Sequence, residues 1–132
     1  MIALDTNVLV RFLTDDDPQQ AGIARQAMSE LSEEEPGFIC REVVLELAWV
    51  LERAYGVKPS RIADALDGLI ATREIVVETA DDIASAIAAW RDSGAGLGDR
   101  MILAAAQRAG AEAVVTFDRK AARIPGMRLL DG

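Results

Sequence analysis

Met1-Ile2-Ala3-Leu4-Asp5-Thr6-Asn7 opens the chain with an apolar run that stops abruptly at an acid. A short unbroken apolar run closed by polar residues has the pattern of a strand buried on both faces, the central kind in a parallel sheet. Open parallel sheets bind their ligands beyond the carboxyl ends of the strands, so this reading puts Asp5 where such a fold keeps its chemistry. The competing reading makes Asp5 only the N-cap of a helix beginning near Thr6. Asp5 by itself does not separate the two.

Outward from that strand, apolar periodicity predicts a regular alternation of elements. Val8–Leu13 reads as a short helix ending near Thr14. Asp17 and Pro18 have the order of an N-cap and a first helical turn. They open a helix running to about Leu31, with Ile23, Ala27 and Leu31 at four-residue spacing. The acidic Ser32–Gly37 segment is a solvated break, because Pro-Gly ends it. Phe38-Ile39-Cys40 reads as a second buried strand, followed by a helix from Arg41 to Tyr55 with Val43, Leu47, Val50, Leu51 and Ala54 on one face. Pro59-Ser60 opens a fourth helix with Ile62, Leu66, Leu69 and Ile70 inward, and β-branched Ile75-Val76-Val77 is a third strand. Asp81-Asp82 starts a helix carrying Ile83, Ala86, Ile87 and Trp90 and ending at Ser93-Gly94. Asp99 opens the next, with Ile102, Leu103 and Ala106 inward and Gly110 as its stop. Ala113–Thr116 and Met127–Leu130 are the fourth and fifth strands. Strands alternating with helices, without hairpin signals, indicate an α/β sheet with helices on both faces.

Composition narrows the chemistry. At 132 residues, half of them apolar, the chain is expected to fold as one domain spanning residues 1–132, without internal linkers. Met1 leads directly into the first strand, so no signal peptide is expected, and no apolar run reaches membrane-spanning length. The single cysteine, Cys40, makes no internal disulfide, in keeping with a cytoplasmic setting. No histidine is present, which removes histidine acid–base catalysis, Ser-His-Asp triads and histidine-ligated zinc. A net charge of −8 argues against a broad phosphate-binding surface. An acidic protein still acts on nucleic acid when metal ions neutralise the site.

Four acids stand at positions that chemistry can use, each with a bland alternative. Glu46 lies mid-helix at the border of the apolar stripe, or is simply a solvated helix glutamate. Asp99 closes Gly94-Ala95-Gly96-Leu97-Gly98-Asp99, which lacks both the spacing and the preceding strand of a dinucleotide loop. It is otherwise an acid favoured by the helix dipole. Asp118 follows the fourth strand as Asp5 follows the first, or caps a turn before Arg119. Together, four carboxylates without histidine or thiolate companions are the ligand set of Mg²⁺ or Mn²⁺.

Four stretches resemble the PIN-domain ribonucleases: Ile2–Leu9, Glu46–Leu51, Asp99–Ala105 and Thr116–Lys120, in that order. The small single-domain members include the VapC-type toxins of bacterial toxin–antitoxin pairs. The resemblance implies a PIN-like α/β/α sandwich around a central, mainly parallel five-stranded sheet. It implies that Asp5, Glu46, Asp99 and Asp118 bind Mg²⁺ or Mn²⁺, with Thr6 and Thr116 as supporting hydroxyls, and that an activated water cleaves RNA. Glu42, one turn before Glu46, leaves open which glutamate faces the metal. Arg11, Arg41, Arg100, Arg119 and Lys120 lie close in sequence to site elements and suit RNA phosphates, or are ordinary surface charges. A cognate antitoxin protein and a homodimer are the partners the resemblance implies.

Three other functions compete. A housekeeping RNA-processing nuclease would share every site residue. A phosphatase forming an aspartyl-phosphate would need a second acid two residues after Asp5, where Asn7 stands. A degenerate domain used only for binding would not need four intact acids.

Overall fold

The computed structural model describes residues 1–93 and 96–131, so the expected helix stop at Gly94 and part of the glycine run lie outside the described residues. Contacts divide the chain into two compact units, Met1–Ala80 and Asp81–Gly132. Among the described residues there are six α-helices and five strands, and every strand pairing is parallel, as an α/β chain requires.

The first unit is built on a ladder of β1 (Ile2–Ala3), β2 (Gly37–Ile39) and β3 (Ile75–Val77), with β2 in the middle. Ile2 pairs with Gly37, Ala3 with Phe38, and Phe38 with Val76. Gly37 is required by close approach: a Cβ there would meet Leu4 Cδ1 at 2.8 Å and Leu31 Cδ1 at 2.9 Å. The opening strand departs from expectation. As an edge strand β1 leaves Ile2 61% exposed, and only Leu4 of the apolar run is buried.

Helix α1 (Thr6–Leu13) follows β1 and buries Thr6, Leu9 and Val10. Helix α2 (Pro18–Ser29) starts on Asp17, whose carboxylate accepts the Gln20 N–H at 3.0 Å, with Pro18 in the first turn as expected. It packs on α1 through Ala21 and Ala24, while Ile23 is exposed. Small residues let two helices approach closely, and the four-residue apolar spacing points to the wrong face.

Helix α3 (Arg41–Arg53) buries Val44, Leu47, Ala48 and Leu51, and helix α4 (Pro59–Ala71) buries Ile62, Ala63, Leu66 and Leu69. Leu9, Ile39, Leu47, Ile62 and Leu66 are the fully buried heart of this unit. Each such side chain contributes about 1.5–3 kcal/mol by leaving water.

A polar clasp ties the α1–α2 connection to the end of α3. Arg11 Nη1 donates to Asp16 Oδ1 at 3.1 Å, and its Nε donates to Gln20 Oε1 at 2.7 Å. The Tyr55 hydroxyl donates to Asp16 Oδ2 at 2.8 Å, and Thr14 Oγ1 donates to Asp16 Oδ1 at 3.0 Å. The Tyr55 hydrogen bond, helped by Thr14 and Arg11, holds the Asp16 carboxyl below its ordinary pKa.

The second unit contains α5 (Ala80–Ser93), α6 (Leu97–Arg108), β4 (Val114–Thr116), a 3₁₀ turn (Ala121–Arg123) and β5 (Met127–Leu129). Helix α5 buries Ile83, Ala86, Ile87 and Trp90, the face that its spacing predicts. Helix α6 buries Leu97 and Met101, leaving Ile102 exposed. Arg108 clamps Asp82 with two bonds of 2.8 and 2.9 Å, joining the end of α6 to the start of α5.

Among the described residues, strand β4 pairs with β5 and with no other strand, from Val114↔Met127 to Thr116↔Leu129. The described ladders therefore number three strands and two, rather than one five-stranded sheet. Apolar runs identify strands, but they carry no record of which strands exchange hydrogen bonds across a crossover.

Candidate active site

Each unit presents two of the expected acids. In the first, Asp5 follows β1 and N-caps α1, accepting the Thr6 N–H on Oδ1 at 2.8 Å. The capping reading is thus realised, and the position beyond a parallel strand's carboxyl end is realised with it. Asp5 is exposed, but the neighbouring Thr6 is only 3% exposed and its Oγ1 is a buried polar atom without a hydrogen-bond partner among the described residues. An orphaned hydroxyl normally finds water or an ion.

Glu46 is exposed on α3, beside exposed Leu45 and Trp49 rather than at the edge of the buried face, and Glu42 is exposed one turn earlier. Arg41, an expected RNA contact, is half-buried and donates from Nη1 to Thr79 Oγ1 at 2.7 Å. Glu78 is a residue that sequence reasoning misses. It follows β3, and its Oε1 accepts the Arg41 N–H at 2.8 Å, capping α3 where Cys40 has no capping side chain. Its signal was available: like Asp5 and Asp118, it is an acid just after an apolar strand.

In the second unit a cavity of about 410 Å³ brings four expected residues together. Asp99, Arg100, Asp118 and Lys120 line it, along with Ser93, Gly96 and Arg123. Its volume is that of an ordinary small-ligand site.

Asp99 stands in the first turn of α6, where the helix dipole favours an acid. Gly96 precedes that helix at φ +77°, and a Cβ on it would lie 3.2 Å from Asp99 Oδ2. Glycine therefore both permits the left-handed backbone and clears space for the carboxylate.

Asp118 is set by a tight turn. Thr116 Oγ1 accepts the Asp118 N–H at 3.0 Å, which gives the expected supporting hydroxyl a definite task. Asp118 Oδ1 then accepts the N–H groups of Lys120 at 2.8 Å and Ala121 at 3.2 Å. Oδ2 has no partner among the described residues. The side chains of Asp99, Lys120 and Arg123 likewise have no hydrogen bond or ion pair there. Arg100 does, donating to Ser93 Oγ at 2.9 Å. Arg119 is exposed and does not line the cavity.

Among the described residues no three acids, histidines or cysteines group closely enough to hold a metal ion. The four-acid cluster that the sequence suggests is represented by the Asp99–Asp118 pair in one cavity, with Asp5 and Glu46 in the other unit. The donor chemistry nonetheless suits a hard divalent cation. Mg²⁺ is commonly held by one or two carboxylates, with waters and substrate phosphates completing its shell. The cavity offers two carboxylates, one with an open oxygen and one cleared by Gly96, and no soft ligand.

No helix among the described residues is long and apolar enough to cross a membrane. No curated protein sequence matches the chain. The family model described as PIN domain matches residues 2–127. That match runs through both units and nearly the whole sequence, and the chain belongs to the PIN domain family, whose members are in general metal-dependent nucleases.

Proposed function

We propose that this protein is an Mg²⁺- or Mn²⁺-dependent endoribonuclease and the toxin of a VapBC-type toxin–antitoxin pair. The observation that carries the reading is the cavity where Asp99 and Asp118 stand beside Arg100 and Lys120. Carboxylates for a divalent ion next to cations for phosphate oxygens are what phosphodiester hydrolysis needs. Asp5, Glu46, Asp99 and Asp118 would hold the metal, and the unpaired Thr6 Oγ1 beside Asp5 supports a polar ligand at that end. A bound divalent ion supplies an activated water and offsets negative charge on the phosphoryl group. Lys120, Arg100 and Arg119 bind and orient the RNA backbone, and Thr116 fixes the turn that aims Asp118.

The family match across 2–127 supports reading the two units as one domain with a five-stranded sheet. Cytoplasmic location and a homodimer belong to the same proposal, the latter supported by the apolar surface of Leu45 and Trp49 on α3, with Trp49 59% exposed. The antitoxin would cover the acids with an inserted arginine, whose two-pronged pairing with carboxylate substitutes for a cation.

Incubation of the purified protein with total RNA, with and without Mn²⁺, followed by mapping of cut ends, tests the nuclease. Absence of metal-dependent cuts rejects it. Expression alone should arrest growth of the host, and co-expression with a small neighbouring gene should relieve the arrest. Robust growth with RNA-cleaving protein present leaves the nuclease and removes the toxin, which favours a housekeeping RNA-processing role.

A further inference from the structure

Thr79 adopts φ +46°, and among the described residues it is the one non-glycine residue in the left-handed region. That conformation strains a β-branched side chain. The other positive-φ positions described, Gly56, Gly96, Gly110 and Gly126, are glycines, which take such a backbone without strain. A glycine at 79 would serve the turn after β3 equally well. It would lack only the hydroxyl.

That hydroxyl has a definite partner. Thr79 Oγ1 accepts a hydrogen bond from Arg41 Nη1 at 2.7 Å, and Oε1 of the preceding Glu78 accepts the Arg41 N–H at 2.8 Å. The Glu78 N–H donates in turn to the Ile39 carbonyl at 2.9 Å, which ties the pair to the end of β2. Two consecutive residues thus grip the first residue of α3 by its side chain and by its backbone. Both bonds are partly buried, and each has one charged member, which strengthens it over a neutral pair. Cys40, the N-cap residue, contributes no side-chain bond of its own. One bond alone would let the helix pivot about it, whereas two restrain both its axial position and its rotation on the ladder.

Those two coordinates decide where Glu46 is carried. It lies on the same helix as Arg41, roughly 7.5 Å further along at 1.5 Å per residue. Asp5 stands in the same unit, at the end of β1. Mg²⁺ demands near-ideal octahedral geometry, so small errors in ligand placement weaken its binding. Strain that persists at one residue needs surroundings that over-determine it, and here those surroundings lead to a proposed ligand.

We infer that Thr79 is a positioning residue of the nuclease site. Its strained backbone presents Oγ1 to Arg41, and the grip on Arg41 sets α3, and with it Glu46, relative to Asp5. This role rests on the nuclease reading and deepens it, by adding a residue that touches neither metal nor RNA.

Three substitutions in the full-length protein separate the backbone from the hydroxyl. Thr79→Gly removes both the strain and the hydroxyl, Thr79→Ala keeps the Cβ but not the hydroxyl, and Thr79→Ser keeps the hydroxyl. The Tm should follow the backbone, with the glycine variant at or above the parent and the alanine variant below it. Cleavage should follow the hydroxyl. Thr79→Gly and Thr79→Ala should both lower kcat and Mn²⁺ affinity about tenfold, with KM for RNA little changed, and Thr79→Ser should retain the parental values. Without metal, the Arg41 amide should exchange faster in the first two variants than in the third.

Parental kcat and Mn²⁺ affinity in Thr79→Gly overturn the positioning role. So does cleavage that follows the Tm across the three variants, because a purely structural residue behaves that way. A parent that neither binds Mn²⁺ nor cuts RNA removes the nuclease reading and this role together. An active parent with indifferent variants removes this role alone.

Discussion

The clasp around Asp16 and the cavity around Asp118 use similar residues to opposite ends. In the clasp an arginine, an aspartate, a tyrosine and a threonine satisfy one another, and both Asp16 oxygens accept bonds. In the cavity two aspartates stand near Lys120 and Arg123, yet those cations form no ion pair, and one Asp118 oxygen has no partner among the described residues. A closed network is complete without a ligand. An open one keeps donors and acceptors that solvent serves until a ligand displaces it. Charge density alone does not distinguish a site from a brace. The remaining hydrogen-bonding capacity does.

The largest effect should come from the open cluster. Asp118→Asn and Asp99→Asn keep the shape of each side chain and remove its charge, so RNA cleavage should fall by about a hundredfold or more, with the melting temperature unchanged or higher. Parental cleavage rates in either variant would place the chemistry elsewhere. Next in size is metal linkage. An ion that binds only the folded protein at a hundred times its Kd adds about 2.7 kcal/mol of stability. Mn²⁺ should therefore raise the Tm of the parent well above that of Asp99→Asn, and a Tm indifferent to millimolar Mn²⁺ counts against the site.

The closed cluster should behave in reverse. Tyr55→Phe removes the main hydrogen bond to Asp16, so it should lower the Tm modestly and leave cleavage at the parental rate. A loss of cleavage with an unchanged Tm would show that the clasp acts on the site rather than on the fold. The smallest effect is on pH dependence. The folded-state pKa of Asp16 is depressed, so the stability it contributes is present above the ordinary carboxylate range and is lost as the pH falls through the folded value. Acid melting of the parent below about pH 4 should therefore steepen relative to Asp16→Asn.

Much of this was legible in the sequence. Strand and helix positions follow from apolar periodicity because burial enforces it, and the inner faces of α4 and α5 emerged with nearly the right residues. The face of α2 did not, because close helix contact selects Ala21 and Ala24 over the larger Ile23. Strand pairing was not legible either, since a two-residue β1 says nothing about its neighbours. At the site, Asp99 and Asp118 could be found as acids at a helix start and a strand end. Arg123 could not, because its place in the cavity lining is visible only in coordinates. Proximity in sequence makes Arg41 an expected RNA contact, and the structure adds a hydrogen bond from it to Thr79 that proximity does not foretell.

The Glu78 cap on α3 has a consequence for the order of folding. The bond joins residues 37 positions apart, so the first amide of α3 gains its acceptor only after the intervening chain has closed into a loop and β3 has docked. Helix α3 can form its interior turns early, but its amino-terminal turn waits for the sheet. In pulse-labelling hydrogen exchange during refolding, the Arg41 amide should thus become protected together with β3 rather than with the middle of its own helix. Glu46, one turn further in, would then be delivered by a helix whose start is timed by the strand.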